Sequence, residues 1–272
     1  VTPRTAVSGA RAYLAIVSDT HLGADPASAD TLRRALTRIG AGTRPDALLL
    51  PGDLAGAGEP DAYATLSALL DGDIAGLAGV PIVPLMGNHD ALGPFTDAFG
   101  TPDRVVWVGG ARIIALDSTI PGHHHGRIEP AQLEWLGAEL TTPAPEGTVL
   151  VLHHPPLRSP VSSVDLLRLR EPEKLAGVLA GSDVRMIVCG HAHHAGAGAL
   201  AGIPVWVAPA LIYQVDAVAP AGRLRGVSGA AISRVDLFAD TAVATAVPLG
   251  GASVYDVDAA ERIAWMTERI PS

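Results

Sequence analysis

The chain has a single cysteine, Cys189, among 272 residues, so no disulfide forms within it, which fits a reducing compartment. No apolar run reaches the roughly 18 residues of a membrane-spanning helix, and no charged and then apolar leader opens the sequence. The expectation is a cytoplasmic protein without stable membrane insertion. Positive charge is scarce: 19 Lys and Arg stand against 28 Asp and Glu, a net charge of -9. With no basic stripe, a nucleic-acid polymer is a poor partner, although a local phosphate pocket remains compatible with that balance. Only 17% of residues are charged and 48% are apolar, a composition that packs rather than stays disordered.

Several nucleotide and nucleophile signatures are missing as well. There is no Walker loop and no Gly-x-Gly-x-x-Gly after an early strand. No Gly-x-Ser-x-Gly turn is present to carry a serine nucleophile. Nor is there an internal repeat or a sharp change in composition. One α/β domain over residues 1–272 is therefore expected, with its core at about 12–250 and a tail at 251–272.

What is present is a series of apolar strands that end in polar residues. Val80 to Met86 runs into Gly87-Asn88-His89-Asp90. Tyr13 to Val17 ends at Ser18-Asp19-Thr20-His21, and Ala47 to Leu50 at Pro51-Gly52-Asp53. Val149 to Leu152 ends at His153-His154, and Val184 to Val188 at Gly190-His191-Ala192-His193-His194. Strand ends are where α/β sheets bind ligands. Between the strands, apolar spacing predicts helices over Ser28 to Ile39, with Ser28 as cap, and over Pro60 to Leu70, Pro94 to Phe99, Pro130 to Leu140 and Pro172 to Leu179. Arg104 to Val108 and Arg112 to Leu116 read as a hairpin around Gly109-Gly110. Residues 1–11 read as a loose arm, 159–164 as a loop and 209–229 as an excursion with Arg223 and Arg225. Two closing strands follow, then a helix over Asp258 to Ile270. The four tryptophans and Cys189 read as packing.

All ten histidines lie in five groups: His21, His89, His123 to His125, His153 with His154, and His191 with His193 and His194. A lone histidine is more often filler than ligand, but four of these groups follow apolar strands and are joined by Asp19 and Asp53. Carboxylate, imidazole and amide oxygen together suit Mn, Fe, Zn or Co. Two such ions clamp a phosphoryl group and lower the pKa of a bound water. Glycine before Asp53, Asn88 and His191 is expected to let the backbone turn sharply there.

Asp19-x-His21, Gly52-Asp53, Gly87-Asn88-His89-Asp90, His153 and Gly190-His191-x-His193 resemble, in order, the blocks of the calcineurin-like metallophosphoesterases. Ser18 to Leu22, Ile120 to Gly126 and Leu152 to Pro156 resemble the bacterial class III cyclic nucleotide phosphodiesterases among them. The resemblance implies a four-layer α/β/β/α sandwich with two mixed sheets. It implies one metal on Asp19, His21, Asp53 and His193, commonly iron, and a second on Asp53, Asn88, His153 and His191, often manganese, with zinc or cobalt as alternatives. A hydroxide bridging the pair would attack phosphorus. His89 would stabilise the phosphoryl oxygens or protonate the departing oxygen, Asp90 would orient His89, and His124 would reach the site from its loop. His154 is read as supporting the ligands, with His123, His125 and His194 at the rim.

Relatives commonly carry an acid near the position of Gly56, which this chain lacks. The implied activity is hydrolysis of a small phosphodiester, with 3′,5′-cyclic nucleotides such as cyclic AMP ahead of 2′,3′-cyclic nucleotides or glycerophosphodiesters. The resemblance also implies a homodimer. A metal-dependent scaffold without turnover is the rival from another class. It would be favoured by loss of His89 or a ligand, and neither is lost.

Overall fold

The computed structural model describes residues 9–72 and 74–269. In chain order the elements are β1 (Ala12–Ile16), α1 (Ser28–Gly40), β2 (Ala47–Pro51), α2 (Pro60–Leu70), β3 (Ile82–Leu85), α3 (Leu92–Phe99), β4 (Arg104–Val108), β5 (Ala111–Ala115), α4 (Pro130–Glu139) and β6 (Thr148–Val151). They continue with α5 (Ser162–Asp165), α6 (Pro172–Leu179), β7 (Val184–Cys189), β8 (Gly196–Leu200), β9 (Ile203–Val207), β10 (Tyr213–Val215), β11 (Gly226–Ser228), β12 (Ala231–Leu237), β13 (Ala242–Pro248) and α7 (Ala259–Thr267). One sheet has the order β13-β12-β1-β2-β3 and the other β4-β5-β6-β7-β9-β8. In the first, β1, β2 and β3 are parallel and β12 and β13 antiparallel. In the second, β5, β6, β7 and β9 are parallel, flanked by antiparallel β4 and β8.

The apolar runs are continuous because both faces of these strands are covered. Side chains alternate across a strand, and the partition is visible residue by residue. Leu14 and Ile16 enter the core between the sheets, where they meet Ile113, Val149, Val151 and Val188. Their neighbours Ala15 and Val17 enter a second core with Leu32, Leu36, Ile39, Tyr63 and Leu66 from α1 and α2. On the far side Leu150, Leu152 and Ile187 pack with Leu136 of α4 and Leu175 and Leu179 of α6. Three apolar interfaces define four layers, α/β/β/α, as the resemblance implied.

Helix starts follow local chemistry. α2, α4 and α6 have proline in their first turn, where the missing N–H costs nothing. Glu129 and Gln132 form a reciprocal capping box at α4. Ser28 is not the cap of α1; it is the first helical residue, and its hydroxyl donates to the Asp25 carbonyl at 2.7 Å.

Other differences from the sequence reading are small. Residues 162–165 form the short helix α5 rather than part of a loop, held by Asp165, whose carboxylate accepts the Ser159 amide at 3.0 Å. The 209–229 excursion contains the β10–β11 ribbon. Trp107 and Trp265 are not packed: they are 56% and 45% exposed, and Trp265 lies between the guanidinium groups of Arg262 and Arg269. Most of the expected N-terminal arm and the end of the last expected helix, Ile270, lie outside the described residues.

Leu49 is fully buried between the two sheets. Leu49→Ala is expected to cost about 2–5 kcal/mol through lost transfer energy and a residual cavity. Chemical denaturation followed by circular dichroism measures it, and a loss below about 1 kcal/mol would contradict the packing described.

Candidate metal centre

The loops leaving the C-terminal ends of β1, β2, β3, β6 and β7 converge on one point. Asp19, Asp53, His153 and His154 are at most 2% exposed, and His21 and His193 are 6% exposed. Asp19, His21, Asp53 and His193 offer ligand atoms that all lie within 4.8 Å of one another, as do His153, His154 and His191. His21 Nε2 is 3.1 Å from His193 Nε2 and 3.4 Å from Asp53 Oδ2, and His193 Nε2 is 3.5 Å from Asp19 Oδ1. His153 Nε2 is 3.4 Å from Asp53 Oδ1, 3.3 Å from Asn88 Oδ1 and 3.2 Å from His191 Nδ1. Asp53 thus belongs to both groups, one oxygen to each.

These distances test whether the residues fit cations. His153 Nδ1 meets the Pro51 carbonyl at 2.8 Å, so that nitrogen carries the proton and Nε2 is left as a lone pair. This lone pair faces a carboxylate oxygen and an amide oxygen, both acceptors, and an imidazole nitrogen whose role depends on its tautomer. Carboxylate, amide oxygen and imidazole nitrogen converging in a buried site form a donor set suited to a cation. Ionisation without metal tells the same story. Burial disfavours the charged form of His153, yet Asp53 overcomes it and raises the imidazole to about 9. Burial acts upward on Asp53 too, and His153 nevertheless holds it well below the usual carboxylate range. Burial raises Asp19, pushes His21 and His193 down to about 4, and pushes His191 down to about 3. The two groups fit the chemistry of a two-metal centre, and the Asp53 carboxylate lies 3.4 Å from His21 in one and from His153 in the other.

Backbone geometry reinforces the site. Asp19, His21, Asp53, His191 and His193 all have positive φ, between 40° and 70°. The sharp turning lies at the candidate ligands themselves and at Gly52, whose φ is 94°. Gly87 and Gly190 are needed for space instead. A Cβ at Gly87 would collide with the Asp53 carboxylate and amide, and one at Gly190 with Ser18 Oγ and Asp19. Ser18 Oγ donates to Asp19 Oδ2 at 2.5 Å, and the His191 amide donates to Asp19 Oδ1 at 3.0 Å.

The remaining residues singled out in the sequence separate into near and far. His89 lies beside His21, with ring centroids 4.8 Å apart. Its amide donates to Asp53 Oδ1 at 2.9 Å, and its Nδ1 meets the Gly56 carbonyl at 2.8 Å. The ring is therefore oriented by Gly56 and not by Asp90. Asp90 instead accepts from the amides of Leu54, Ala55 and Gly87 and from the Tyr63 hydroxyl, at 2.8 to 3.0 Å. Burial and the Asp53 charge raise it to about 6, against those donors. Position 56 has no room for the acid common in relatives, since a Cβ there would run into Ala24.

His124 is exposed and receives a hydrogen bond from Asn88 Nδ2 at 3.1 Å, which turns Asn88 Oδ1 toward His153. His154 Nδ1 pairs with Ser118 Oγ at 2.8 Å under Gly126, and its Nε2 is buried without a hydrogen bond. His123 and His125 face each other along their loop, and His194 reaches Ser159. Arg225 pairs with Asp216, Arg223 is exposed, and Cys189 is buried in the core. Ser118 and Tyr63 support the site without having stood out in the sequence, whereas Ser18 belongs to the Ser18 to Leu22 block already noted. Tyr63 read as an inward helix residue, and nothing local announces the partner of its hydroxyl.

Residues 12–195 match the calcineurin-like phosphoesterase family, and the chain belongs to that family. A probable cyclic nucleotide phosphodiesterase of Rhodococcus erythropolis is 44% identical over 253 residues, 88% of this chain and 84% of the relative. A cAMP/cGMP dual specificity phosphodiesterase of Mycobacterium tuberculosis is 43% identical over 252 residues, 86% and 79% of the two chains. The fold is shared with a dimetal phosphatase from Danio rerio at a TM-score of 0.66 and 14% identity, covering 89% of this chain and 97% of the other.

Because Asp53 alone reaches both groups, Asp53→Ala is expected to lose both metals, and His21→Ala or His191→Ala to retain one. Metal titration of the three variants tests this, and equal loss of a single ion in all three would exclude sharing by Asp53.

Proposed function

We propose that the chain is a binuclear-metal phosphodiesterase that hydrolyses 3′,5′-cyclic nucleotides such as cyclic AMP to the 5′-monophosphate. The observation that carries the reading is the pair of acceptor groups joined by Asp53. Identity of 43–44% along most of the chain to proteins named for cyclic nucleotide hydrolysis supports the substrate class.

In this reading Asp19, His21, Asp53 and His193 hold one ion and Asp53, Asn88, His153 and His191 the other, with iron and manganese as the expected pair. When bound, the ions supply Lewis acidity and lower the pKa of water for attack on phosphorus. The protein's own groups do the rest. His89 Nδ1–H is committed to the Gly56 carbonyl, which leaves Nε2 as the atom that exchanges protons. As the phosphorus–O3′ bond breaks, the imidazolium Nε2–H gives its proton to O3′. Asp90 holds the 54–55 and 87–90 turns together, so its role is positioning. His124 fixes the amide of Asn88.

The buried lone cysteine supports a cytoplasmic setting, and among the described residues no helix is long and apolar enough to cross a membrane. The reading treats the chain as one catalytic unit and extends to a homodimer, which light scattering of purified protein tests.

His89→Ala is expected to keep both metals and lose about 10²–10⁴ in turnover, the scale of a positioned proton-transfer group. Metal content and kcat are measured on one preparation, and metal loss in proportion to activity would make His89 a ligand. With manganese supplied, kcat/KM for cyclic AMP is expected to exceed that for p-nitrophenyl phosphate. A preference for the monoester would make the protein a phosphatase. Turnover of 2′,3′-cyclic AMP or a glycerophosphodiester alone would keep the class and overturn the substrate.

A further inference from the structure

Two clefts flank the centre, and they differ in chemistry. One, of about 330 Å³, starts at Asn88 and is bounded by Asp90, Asp117, Thr119 and Ile120. The other, of about 160 Å³, starts at His191 and runs between the segment after β6 and the edge strand β8. His153 Nε2 lies within 3.3 Å of both Asn88 Oδ1 and His191 Nδ1, so the centre sits between the clefts. A cyclic nucleotide closes both ester arms into one ring and leaves a single large appendage, its base. Only one of the clefts is needed for it.

We infer that the cleft at His191 receives the base, on the reading that the substrate is a cyclic nucleotide. Its walls are apolar: Leu157, Pro160 and Val164 on one side, Ala192 and Ala197 on the other. Such surfaces suit the faces of a planar heteroaromatic ring and not a polyol. Its polar groups are mainly donors. Arg158 and Arg168 line it, both held by Asp165, at 2.9 and 3.6 Å. Guanidinium stacks on aromatic rings and donates without accepting, and ring nitrogens of bases accept. Ser159, bonded to His194 Nε2 at 3.2 Å, adds a hydroxyl. The Asn88 cleft also has apolar lining in Met86, Leu92, Ile120 and Pro121, but it has no guanidinium, and its Asp90 carboxylate is committed to the Leu54, Ala55 and Gly87 amides and the Tyr63 hydroxyl.

On β8 the small residues Gly196 and Ala197 border the cleft. A Cβ at Gly198 would already press on Leu157. Val164 lines the cleft from α5 and is half-buried, so a larger residue there narrows the cleft without entering a core.

The test compares wild type with Val164→Trp, using cyclic AMP and methyl p-nitrophenyl phosphate, a diester without a base. The expected result is that kcat/KM falls further for cyclic AMP than for the base-free diester, by about tenfold or more, through KM, the scale of added methylenes in a pocket. Adenosine is expected to compete with the base-free diester in wild type and to lose that competition in the variant. Equal loss on both substrates, or undiminished competition by adenosine, overturns the inference. If wild type cleaves the base-free diester but not cyclic AMP, while adenosine still competes in a Val164-dependent way, the cleft is a base site and the proposed substrate is what fails.

Discussion

Asp53 sends one carboxylate oxygen to the His89 amide and His153 and the other toward His21. Everything around the centre is arranged so that this one buried carboxylate stays ionised. His153 is fully buried, which disfavours its charged form, and Asp53 first, then Asp19 and the Pro51 carbonyl, raise it to about 9. The Gly87 position is empty of side chain because Asp53 fills the space a Cβ would take. A buried anion of this kind is stable only with a matching positive charge and satisfied hydrogen bonds.

The two sheets explain how groups so far apart in sequence come to share the anion. β1, β2 and β3 bring Asp19, Asp53 and His89 from one sheet, and β6 and β7 bring His153 and His191 from the other. The inter-sheet core of Leu14, Ile16, Leu49, Val149 and Val151 sets the spacing between the two sets of loops. Asp90 then ties the loop after β3 to the loop after β2 through the Leu54 and Ala55 amides and to α2 through the Tyr63 hydroxyl, and it closes its own turn on the Gly87 amide. It is an organiser of backbone, and its distance from proton transfer follows from its partners.

The layers were legible because strands buried on both faces leave unbroken apolar runs, and the polar residues stood out at their ends. Asp19, His21, Asp53, Asn88, His153, His191 and His193 could be named from sequence and are brought together here. The partner of the His89 ring could not, because it is a carbonyl, and any residue at position 56 has one. The role of Asp90 was misread for a related reason: adjacency in sequence suggested His89, whereas its partners are amides and a hydroxyl 27 to 36 residues away. Trp107 and Trp265 mislead in the other direction, since size and apolarity do not say which face of an edge strand or terminal helix a ring occupies.

The positive φ values have a consequence for protein engineering. Five of the seven candidate ligand residues occupy left-handed backbone, where an ordinary residue costs of the order of 1–3 kcal/mol. Asp and His tolerate that region better than most, so here chemistry and conformation ask for the same residue types. A designer who copied only the side-chain positions onto helices and regular strands would not reproduce the cluster. The transplantable unit is the strand end together with its left-handed turn, and a host scaffold must be rigid enough to hold five such turns against one another.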